Sequence, residues 1–362
     1  RSVAVGDRFA LTLVDPCRAE GEDDAVGRAE CVGPGLPRGV HFLQGFVGCR
    51  GREVAVEPEM VPHLAVEPQL PARHGRRVKK NFETIKGKCD DVFAVVKANA
   101  YGHGATEVAK TLEESGCKKF AVASVYEAES LRKNGIHGEI AILGFCEDFG
   151  LAREIAARPL VYDEHTFRLA KKYDAEVFVK INTGMNRLGF STIVETAFAV
   201  KNLRVLGVFT HLSSADGDDA TDRRITEAQI KNFMEAELVV KNEKDVPFYA
   251  ENSAALIKYG RFFDGARIGI ALYGVNPVPG DKTPLLPVMT FRAAVIAINT
   301  VKKGDFIGYS RGYRAKKDMR VAIISTGYAD GLPRALSNKG MIFCTSRNRT
   351  SQGLCRACRR IQ

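Results

Sequence analysis

The sequence predicts a (β/α)8 TIM barrel that is followed by an all-β domain. Three observations lead to this prediction. Strand-like runs alternate with helix-like segments eight times between residues 79 and 270. The clearest of these strands are continuous apolar runs, which is the pattern of parallel strands covered on both faces. After residue 290 the alternation stops, and short strands follow one another with turns between them.

The predicted strands of the barrel are short and apolar, and most of them end in polar residues. The first strand is apolar until Lys97 ends it, and the fifth carries Lys180 close to its end. The eight predicted strands are 92–97, 120–123, 139–144, 160–162, 176–182, 205–211, 247–251 and 266–270.

The helix-like segments show the spacing of amphipathic helices. In the first, Val78, Phe82 and Ile85 recur on one side, and Gly135 closes the third. The predicted helices are 79–88, 105–114, 125–134, 150–157, 164–172, 193–201, 226–241 and 253–258. The strands predicted for the β domain are 290–300, 305–308, 320–325 and 341–343.

An open, doubly wound parallel sheet is the alternative arrangement for alternating strands and helices. Such a sheet favours a glycine-rich nucleotide-binding loop after its first strand. No GxGxxG or Walker A sequence stands there, and the sequence therefore favours the barrel.

The composition is that of a globular protein with two domains. The chain has 362 residues, of which 45% are hydrophobic and 27% are charged. No apolar run approaches the ~18 residues that a membrane span needs, and the short run at 9–14 is not a signal peptide. The nine cysteines lack regular spacing, which favours a reducing cytoplasm over a disulfide framework. The CxxC of Cys355 and Cys358 is weak evidence for metal or redox chemistry.

A net charge of +10 raises the question of nucleic-acid binding. The last 19 residues, 344–362, hold five arginines and no acidic residue, so they supply half of the excess. No RNA- or DNA-binding motif accompanies them, and we expect no nucleic-acid partner.

Lysine usage divides the chain into three parts. The first 78 residues contain ten arginines and no lysine, residues 79–339 contain 23 lysines, and residues 340–362 contain none. Folding does not require this division, which predicts a different origin for the two ends. The predicted parts are an unassigned segment, a barrel, a partial β domain and an arginine-rich tail, at 1–77, 78–275, 276–343 and 344–362.

Polar side chains gather at the C-terminal ends of five predicted strands, which is where (β/α)8 barrels carry their catalytic residues. One such residue is readily explained by solvent exposure, but five converging groups are not. They are Lys97, Asn99 and Tyr101 at strand one, Lys180, Thr183 and Arg187 at strand five, His211 at strand six, Asn252 and Ser253 at strand seven, and Arg267 at strand eight, which passes on through Gly269 and Ile270.

Lys97 indicates the chemistry. Burial and nearby cations lower the pKa of a lysine, and a neutral amine can form a Schiff base with an aldehyde. The turns after strands seven and eight are the usual phosphate site of such barrels. There Ser253 offers a hydroxyl, Gly269 lets the backbone come close, and Tyr101 adds a donor. With Arg267 placed to address a ring nitrogen, this layout suits pyridoxal 5'-phosphate (PLP).

Seven motifs between residues 78 and 343 resemble, in order and spacing, those of the alanine racemase family. The first, AVVKANAYGHG at 94–104, resembles the PLP-attachment motif of that family. The others are VKINTGMNRLGF (179–190), GVFTHLSSAD (207–216), ENSAAL (251–256), RIGIALYG (267–274), IGYSRGYRA (307–315) and STGYADGLPR (325–334).

The resemblance implies roles for individual residues. Lys97 matches the lysine that attaches PLP and is one of two racemisation bases, and Tyr309 matches the base on the opposite face. Arg187 matches the arginine that contacts the phenolic oxygen of the cofactor and the substrate carboxylate. Lys180 matches a lysine that is often carbamylated and holds that arginine. The cofactor-binding positions also include His211 on the ring, Arg267 at the ring nitrogen, and Tyr101, Asn252, Ser253, Gly269 and Ile270 at the phosphate.

The resemblance also implies an activity: a cytoplasmic enzyme that interconverts L-alanine and D-alanine with PLP and supplies D-alanine for peptidoglycan. A racemase removes a proton from one face of Cα and returns it to the other, so two bases must flank that atom. In the family the tyrosine reaches across from the other subunit, which implies a head-to-tail homodimer. Alanine is the expected small-molecule partner, and neither a membrane nor a metal is expected.

Parts of the family pattern are missing. The N-terminal strand that joins the β domain has no clear equivalent in 1–77, where strand-like runs stand at 10–14, 40–46 and 53–56. The tail 344–362 replaces a GRVCMDQ-like segment, so we expect a truncated β domain. Other departures are Asn182 at an aspartate position, and Tyr249 and Glu251 where histidine and alanine are more frequent. A serine or broad-specificity racemase, and a PLP-binding relative without racemase activity, therefore stay open beside alanine racemase.

Overall fold

A computed structural model describes residues 10–12, 46–49, 72–291, 293–338 and 343–345 of the chain. They form two compact units. One unit contains the described residues from the first helix to Met289, and the other contains the two strands before that helix and the residues from Thr290 onward.

The elements follow one another in the alternating order that the sequence predicts. The strands are β1 (Ala10–Thr12), β2 (Phe46–Cys49), β3 (Val92–Val95), β4 (Lys119–Val122), β5 (Glu139–Ile142), β6 (Ala157–Val161), β7 (Glu176–Lys180), β8 (Arg204–Phe209), β9 (Phe248–Glu251), β10 (Gly265–Ile268), β11 (Val295–Val301), β12 (Phe306–Ile307), β13 (Tyr313–Arg314), β14 (Met319–Ile324) and β15 (Phe343–Thr345). The helices are α1 (Ala72–Lys86), α3 (Ala105–Glu114), α4 (Val125–Lys133), α5 (Phe149–Glu154), α6 (Glu164–Tyr173), α7 (Ile193–Asn202), α8 (Ala220–Lys241) and α9 (Ser253–Tyr259), and the short segment α2 (Lys97–Tyr101) is a left-handed turn.

Strands β3 to β10 form a closed parallel barrel, in which β10 pairs with β3 and completes the ring. The predicted fold class is confirmed: a (β/α)8 barrel with a β domain after it. Six turns after the strands share one device for starting the next helix, a side chain that accepts a hydrogen bond from the N–H three residues on. These residues are Ser124, Asp148, Asp163, Thr192, Asp219 and Asn252.

Aromatic side chains fill the interior of the barrel. Phe93, Phe178, Phe209 and Tyr249 pack together, and Phe93 meets Tyr249 edge to face with ring centroids 5.2 Å apart. A larger apolar core lies between the strands and the helices. Because the interior is packed, polar chemistry is confined to the ends of the strands.

Tyr249 and Glu251, two departures from the family pattern, have structural partners here. The Tyr249 hydroxyl donates to Asp91 Oδ2 at 2.9 Å and accepts from Lys119 Nζ at 2.8 Å. One carboxylate oxygen of the fully buried Glu251 accepts from the Phe262 N–H at 2.6 Å. Both side chains therefore brace the barrel.

Several predicted boundaries differ from the structure. Strand β3 ends at Val95, so Lys97 lies beyond the strand and not within it. The helix predicted at 150–157 ends at Glu154, because Ala156 adopts a left-handed φ of 52° and Ala157 opens β6. The predicted run at 53–56 lies outside the described residues.

The second unit is built from antiparallel strands. Strand β14 pairs with β11 on one side and with β2 on the other, while β12 pairs with β13 and β1 with β15. Residues 1–77 therefore supply a strand to the β domain, although no clear equivalent of such a strand is expected from their sequence. The pairing joins Phe46 to Ile323. These residues lie far apart in the chain, and local sequence patterns do not reveal such long-range pairing.

In the described part of the chain, no helix is both long enough and apolar enough to span a bilayer.

Candidate active site

A cavity of about 610 Å³ opens at the C-terminal ends of the barrel strands. This volume lies within the ordinary range for a site that holds a small organic ligand. Ten of the twelve residues predicted at the strand ends line it, and Asn99 and Thr183 do not: the ten are Lys97, Tyr101, Lys180, Arg187, His211, Asn252, Ser253, Arg267, Gly269 and Ile270.

Lys97 enters the cavity at the start of a left-handed turn. Residues Ala98 to Tyr101 all have positive φ, between 52° and 55°. For residues other than glycine this conformation costs about 1–2 kcal/mol each, so surrounding contacts must hold the turn in place. The Asn99 side chain is one such contact, because its Oδ1 accepts from the Ala105 N–H at 2.8 Å. Sequence patterns do not predict this turn.

The cavity lowers the pKa of both its lysines. Burial is the main cause for Lys97, and the nearby Arg187 guanidinium adds to it. For Lys180, burial followed by the charges of Arg267, Arg187 and Lys97 lowers the pKa to about 7. Both amines therefore lose a proton more readily than an exposed lysine, and the neutral form is the nucleophile and the base.

Arg267 is buried and fixed by backbone carbonyls. Its guanidinium donates to the Tyr249 carbonyl at 2.5 Å, to the Ala250 carbonyl at 3.3 Å and to the Thr210 carbonyl. Burial lowers its pKa to about 10, so the group stays charged at neutral pH. The same guanidinium lies 3.4 Å from His211 Nδ1. Burial and this charge hold the pKa of His211 well below its usual range, so the imidazole is neutral.

Ser253, Gly269 and Tyr101 form a small concave surface between the ends of β9 and β10. Ser253 Oγ accepts from the Gly269 N–H at 3.2 Å and the Ala271 N–H at 3.4 Å. A Cβ built on Gly269 would lie 2.6 Å from the Tyr101 hydroxyl. The absence of a side chain at 269 thus lets a hydroxyl and backbone N–H groups converge, and such groups bind phosphate oxygens.

The loop after β7 carries Arg187. Asn182 Oδ1 accepts from the N–H groups of Gly184 and Asn186, at 3.1 and 3.0 Å. The Asn182 N–H donates to the Phe190 carbonyl at 2.9 Å, which closes the loop back onto its own start. Asn182 therefore shapes this loop although the family has aspartate there.

Two profiles of known protein families match the chain. The N-terminal domain of alanine racemase matches residues 74–277, and the C-terminal domain of alanine racemase matches residues 288–355. The chain belongs to the alanine racemase family.

Relatives and solved structures agree with this assignment. An alanine racemase of Sorangium cellulosum is 37% identical over 290 residues, which cover 74% of this chain and 75% of the relative. An amino-acid racemase of Enterococcus faecalis is 31% identical over 301 residues, 79% of this chain and 43% of that protein. The crystal structure of alanine racemase from D-cycloserine-producing Streptomyces lavendulae superposes with a TM-score of 0.68 at 27% identity, covering 80% of each chain.

Tyr309, the residue that the alanine racemase resemblance marks as the second base, belongs to the other compact unit. It opens a short 3-10 turn, Tyr309–Arg311, after β12 and is 70% exposed. Its hydroxyl is thus accessible within its own unit.

His103, the other polar residue of the attachment motif, packs behind the turn as a structural residue would. Its ring stacks on Tyr273 with centroids 4.7 Å apart, and its Nδ1 lies 3.0 Å from the Ala100 carbonyl. The Tyr273 hydroxyl donates to the Val95 carbonyl at 3.0 Å, so this pair ties the end of β10 to the end of β3.

Gln229 supports the site from α8, and sequence reasoning missed it. Its side-chain amide donates to the His211 carbonyl at 3.1 Å, and its oxygen accepts from the Ser213 N–H at 2.9 Å. The amide also reaches Thr183 Oγ1 at 3.3 Å, and Thr183 meets Thr210 at 2.8 Å. A glutamine in the middle of a helix gives no local sign that it is buried beneath a site.

The cavity fits a phosphorylated aldehyde. Four basic side chains line it (Lys97, Lys180, Arg187 and Arg267), and Asp216 is the one acidic side chain among its lining residues. The Lys97 amine, whose pKa is lowered, lies in one part of the cavity. In another part, hydrogen-bond donors lie beside Gly269, which has no side chain to block them. These are complementary to an aldehyde and to a phosphate respectively.

Proposed function

We propose that the chain is a PLP-dependent racemase that interconverts L-alanine and D-alanine, and that it supplies D-alanine for peptidoglycan. The observation that carries the proposal is the Lys97 amine. It opens into a cavity of basic side chains, and burial lowers its pKa. A surface lysine at the end of a strand would have neither property.

The residues of the cavity divide the binding of the cofactor among them. Lys97 Nζ would hold the aldehyde group, while Ser253 Oγ, Tyr101 Oη and the backbone around Gly269 and Ile270 would hold the phosphate. His211 would pack on the ring, and Asn252 shapes the turn beside Ser253 by accepting from the Ala255 N–H at 2.9 Å. When bound, PLP withdraws electrons from the substrate Cα and so acidifies its proton.

Arg267 controls how strongly the ring withdraws electrons. A guanidinium does not give up its proton at neutral pH, so Arg267 would donate a hydrogen bond to the ring nitrogen and leave that nitrogen unprotonated. The ring would then withdraw electrons less strongly than a ring with a protonated nitrogen.

Two groups exchange the Cα proton. Lys97 Nζ acts on one face, and its lowered pKa makes the neutral, proton-accepting amine easier to form than that of an exposed lysine. Tyr309 Oη acts on the other face and comes from the second subunit of a homodimer. Arg187 binds the substrate carboxylate and the phenolic oxygen of the cofactor.

Lys180 is proposed to carry a carbamate. With a pKa of about 7, part of its amine is neutral near neutral pH, and neutral amines add carbon dioxide. The resulting anion would lie next to Arg187 and Arg267, the charges that depress the amine pKa. Incubation with 13C-bicarbonate should give a carbamate carbon signal that Lys180→Met lacks.

A coupled assay that detects D-alanine tests the proposal. The purified protein, supplied with PLP, should absorb as a yellow chromophore that borohydride bleaches and should turn over alanine in both directions. Lys97→Ala should lack chromophore and turnover, and Tyr309→Phe should keep the chromophore while losing most of the turnover. Absence of the chromophore from the wild-type protein would refute the PLP assignment.

Two further outcomes separate the alternatives. A chromophore without turnover would identify a PLP-binding relative that is not a racemase. Unchanged rates in both directions for Tyr309→Phe would show that the two-base assignment is wrong.

A broad-specificity amino-acid racemase is the second candidate. The relative from Enterococcus faecalis, named an amino-acid racemase, is 31% identical over 79% of this chain. The same assay with L-serine in place of L-alanine distinguishes the two candidates, because an alanine racemase should turn over serine far more slowly than alanine.

A further inference from the structure

We infer that Glu127 is a positioning residue for Lys97. Its carboxylate fastens the strained turn that carries the lysine and keeps a negative charge beside the amine. The inference rests on the proposed function of Lys97, and it adds a residue that the attachment motif does not contain.

The carboxylate of Glu127 joins the ends of two neighbouring strands. It lies in the first turn of α4, where its own N–H bonds to Ser124 Oγ at 3.3 Å. Oε1 accepts from the Ala98 N–H at 2.7 Å, and Oε2 accepts from the Ala123 N–H at 2.7 Å. Ala123 follows β4, and Ala98 follows Lys97. Both oxygens are therefore used, and both bonds have the short length of charge-assisted hydrogen bonds.

The peptide that Glu127 binds is the one that leaves Lys97. Ala98 is the first residue of the left-handed turn, with φ 52° and ψ 51°. Because that conformation is unfavourable for alanine, a strong contact at its N–H offsets part of the cost and fixes the direction in which the lysine side chain departs. A carboxylate one methylene shorter cannot reach both N–H groups from the same place on α4.

The charge of Glu127 acts on the amine as well. Burial favours the neutral form of Lys97, and the nearby Arg187 cation adds to this effect. Glu127 opposes both, and it raises the pKa of Lys97 against the larger effect of burial. The carboxylate therefore prevents the amine from becoming too weak a base to hold the proton that it removes.

Glu127→Gln tests the charge, because glutamine keeps the length of the side chain, loses the negative charge and retains one of the two acceptor oxygens. Glu129→Gln is the matched control: Glu129 lies on the same helix and pairs with Lys133 at 2.7 Å. The full-length chain, freed of aldehydes with hydroxylamine, is labelled with trace acetic anhydride across a pH series, and the rate at Lys97 is read by peptide mass spectrometry. Loss of the charge should move the midpoint of Lys97 labelling about one pH unit lower, while Glu129→Gln should match the wild type.

Glu127→Asp tests the hold on the turn, because aspartate keeps the charge and loses reach. Hydrogen exchange should become at least about tenfold faster in the peptides that contain Ala98 and Ala123, and Glu129→Asp should leave both unchanged. If circular dichroism shows that Glu127→Gln does not fold, the hydrogen-exchange measurement on Glu127→Asp tests the inference instead.

These measurements need neither alanine nor PLP, so their outcome is independent of whether the proposed function is correct. A wild-type protein without racemase activity but with the expected shifts would refute the function and keep the positioning role. Wild-type exchange in Glu127→Asp, or a wild-type labelling midpoint in a folded Glu127→Gln, would overturn the inference.

Discussion

The backbone of Gly269 passes so close to Tyr101 that a Cβ at position 269 would lie 2.6 Å from the tyrosine hydroxyl. The φ of Gly269 is −112°, which any residue can adopt. A side chain at position 269 is therefore opposed by the neighbouring tyrosine. The Gly269 N–H donates to Ser253 Oγ at 3.2 Å, so the hydroxyls of Ser253 and Tyr101 both lie beside the backbone of Gly269.

Gly269→Ala should weaken PLP binding by about tenfold or more, because the methyl group displaces the Tyr101 hydroxyl from the phosphate site. The measurement is an absorbance titration of cofactor-free protein with PLP. Gly87→Ala is the control, since a Cβ there meets its nearest neighbour at an ordinary 3.5 Å. Equal affinities for the two variants would contradict the phosphate assignment.

Ala98→Gly should stabilise the protein by up to about 1 kcal/mol, because glycine adopts the left-handed φ of 52° without the cost that alanine bears. Ala228→Gly, at an exposed position in the right-handed helix α8, should destabilise it by about 1 kcal/mol. The free energy of unfolding in urea measures both. The same sign for the two variants would show that the turn at 98–101 is not left-handed.

Lys180→Met should be more stable than the wild type at pH 6, and the difference should shrink as the pH rises. The pKa of Lys180 falls from 10.5 to about 7 on folding, so between these values the unfolded chain binds one more proton than the folded one. The penalty of burying the charge is full below pH 7 and is relieved towards pH 10.5, and it amounts to a few kcal/mol.

Urea unfolding at several pH values in carbon dioxide-free buffer measures this difference. Lys231→Met, at an exposed position on α8, is the control and should show no such dependence. A constant difference between Lys180→Met and the wild type from pH 6 to pH 10 would mean that Lys180 keeps its ordinary pKa.

Gln229→Leu should lower the free energy of unfolding by roughly 2–4 kcal/mol, because the His211 carbonyl and the Ser213 N–H lose their partner inside the protein. It should also weaken PLP binding, since His211 is no longer held in place. Glu227→Ala, two residues away on the exposed side of the helix, is the control. If Gln229→Leu had the stability and the PLP affinity of the wild type, Gln229 would not support the site.

The order of the elements and most residues that line the cavity were predictable because both follow from local sequence. Lys97 was recognisable as an amine at the end of an apolar run. Ser253 and Gly269 were recognisable by their places after the last two strands. Glu127 and Gln229 were not, because each lies on a helix and acts on residues of a different element.

The sequence by itself determined the class of fold. The spacing of apolar residues and the residues that start helices are local features, and they can be recognised without knowledge of tertiary contacts. It also determined the family, because seven motifs keep their order. Only the tertiary structure decided that β2 pairs with β14, that Tyr249 and Glu251 brace the barrel, and that residues 98–101 turn to the left. Each of these depends on groups distant in the chain whose hydrogen bonds outweigh a local preference.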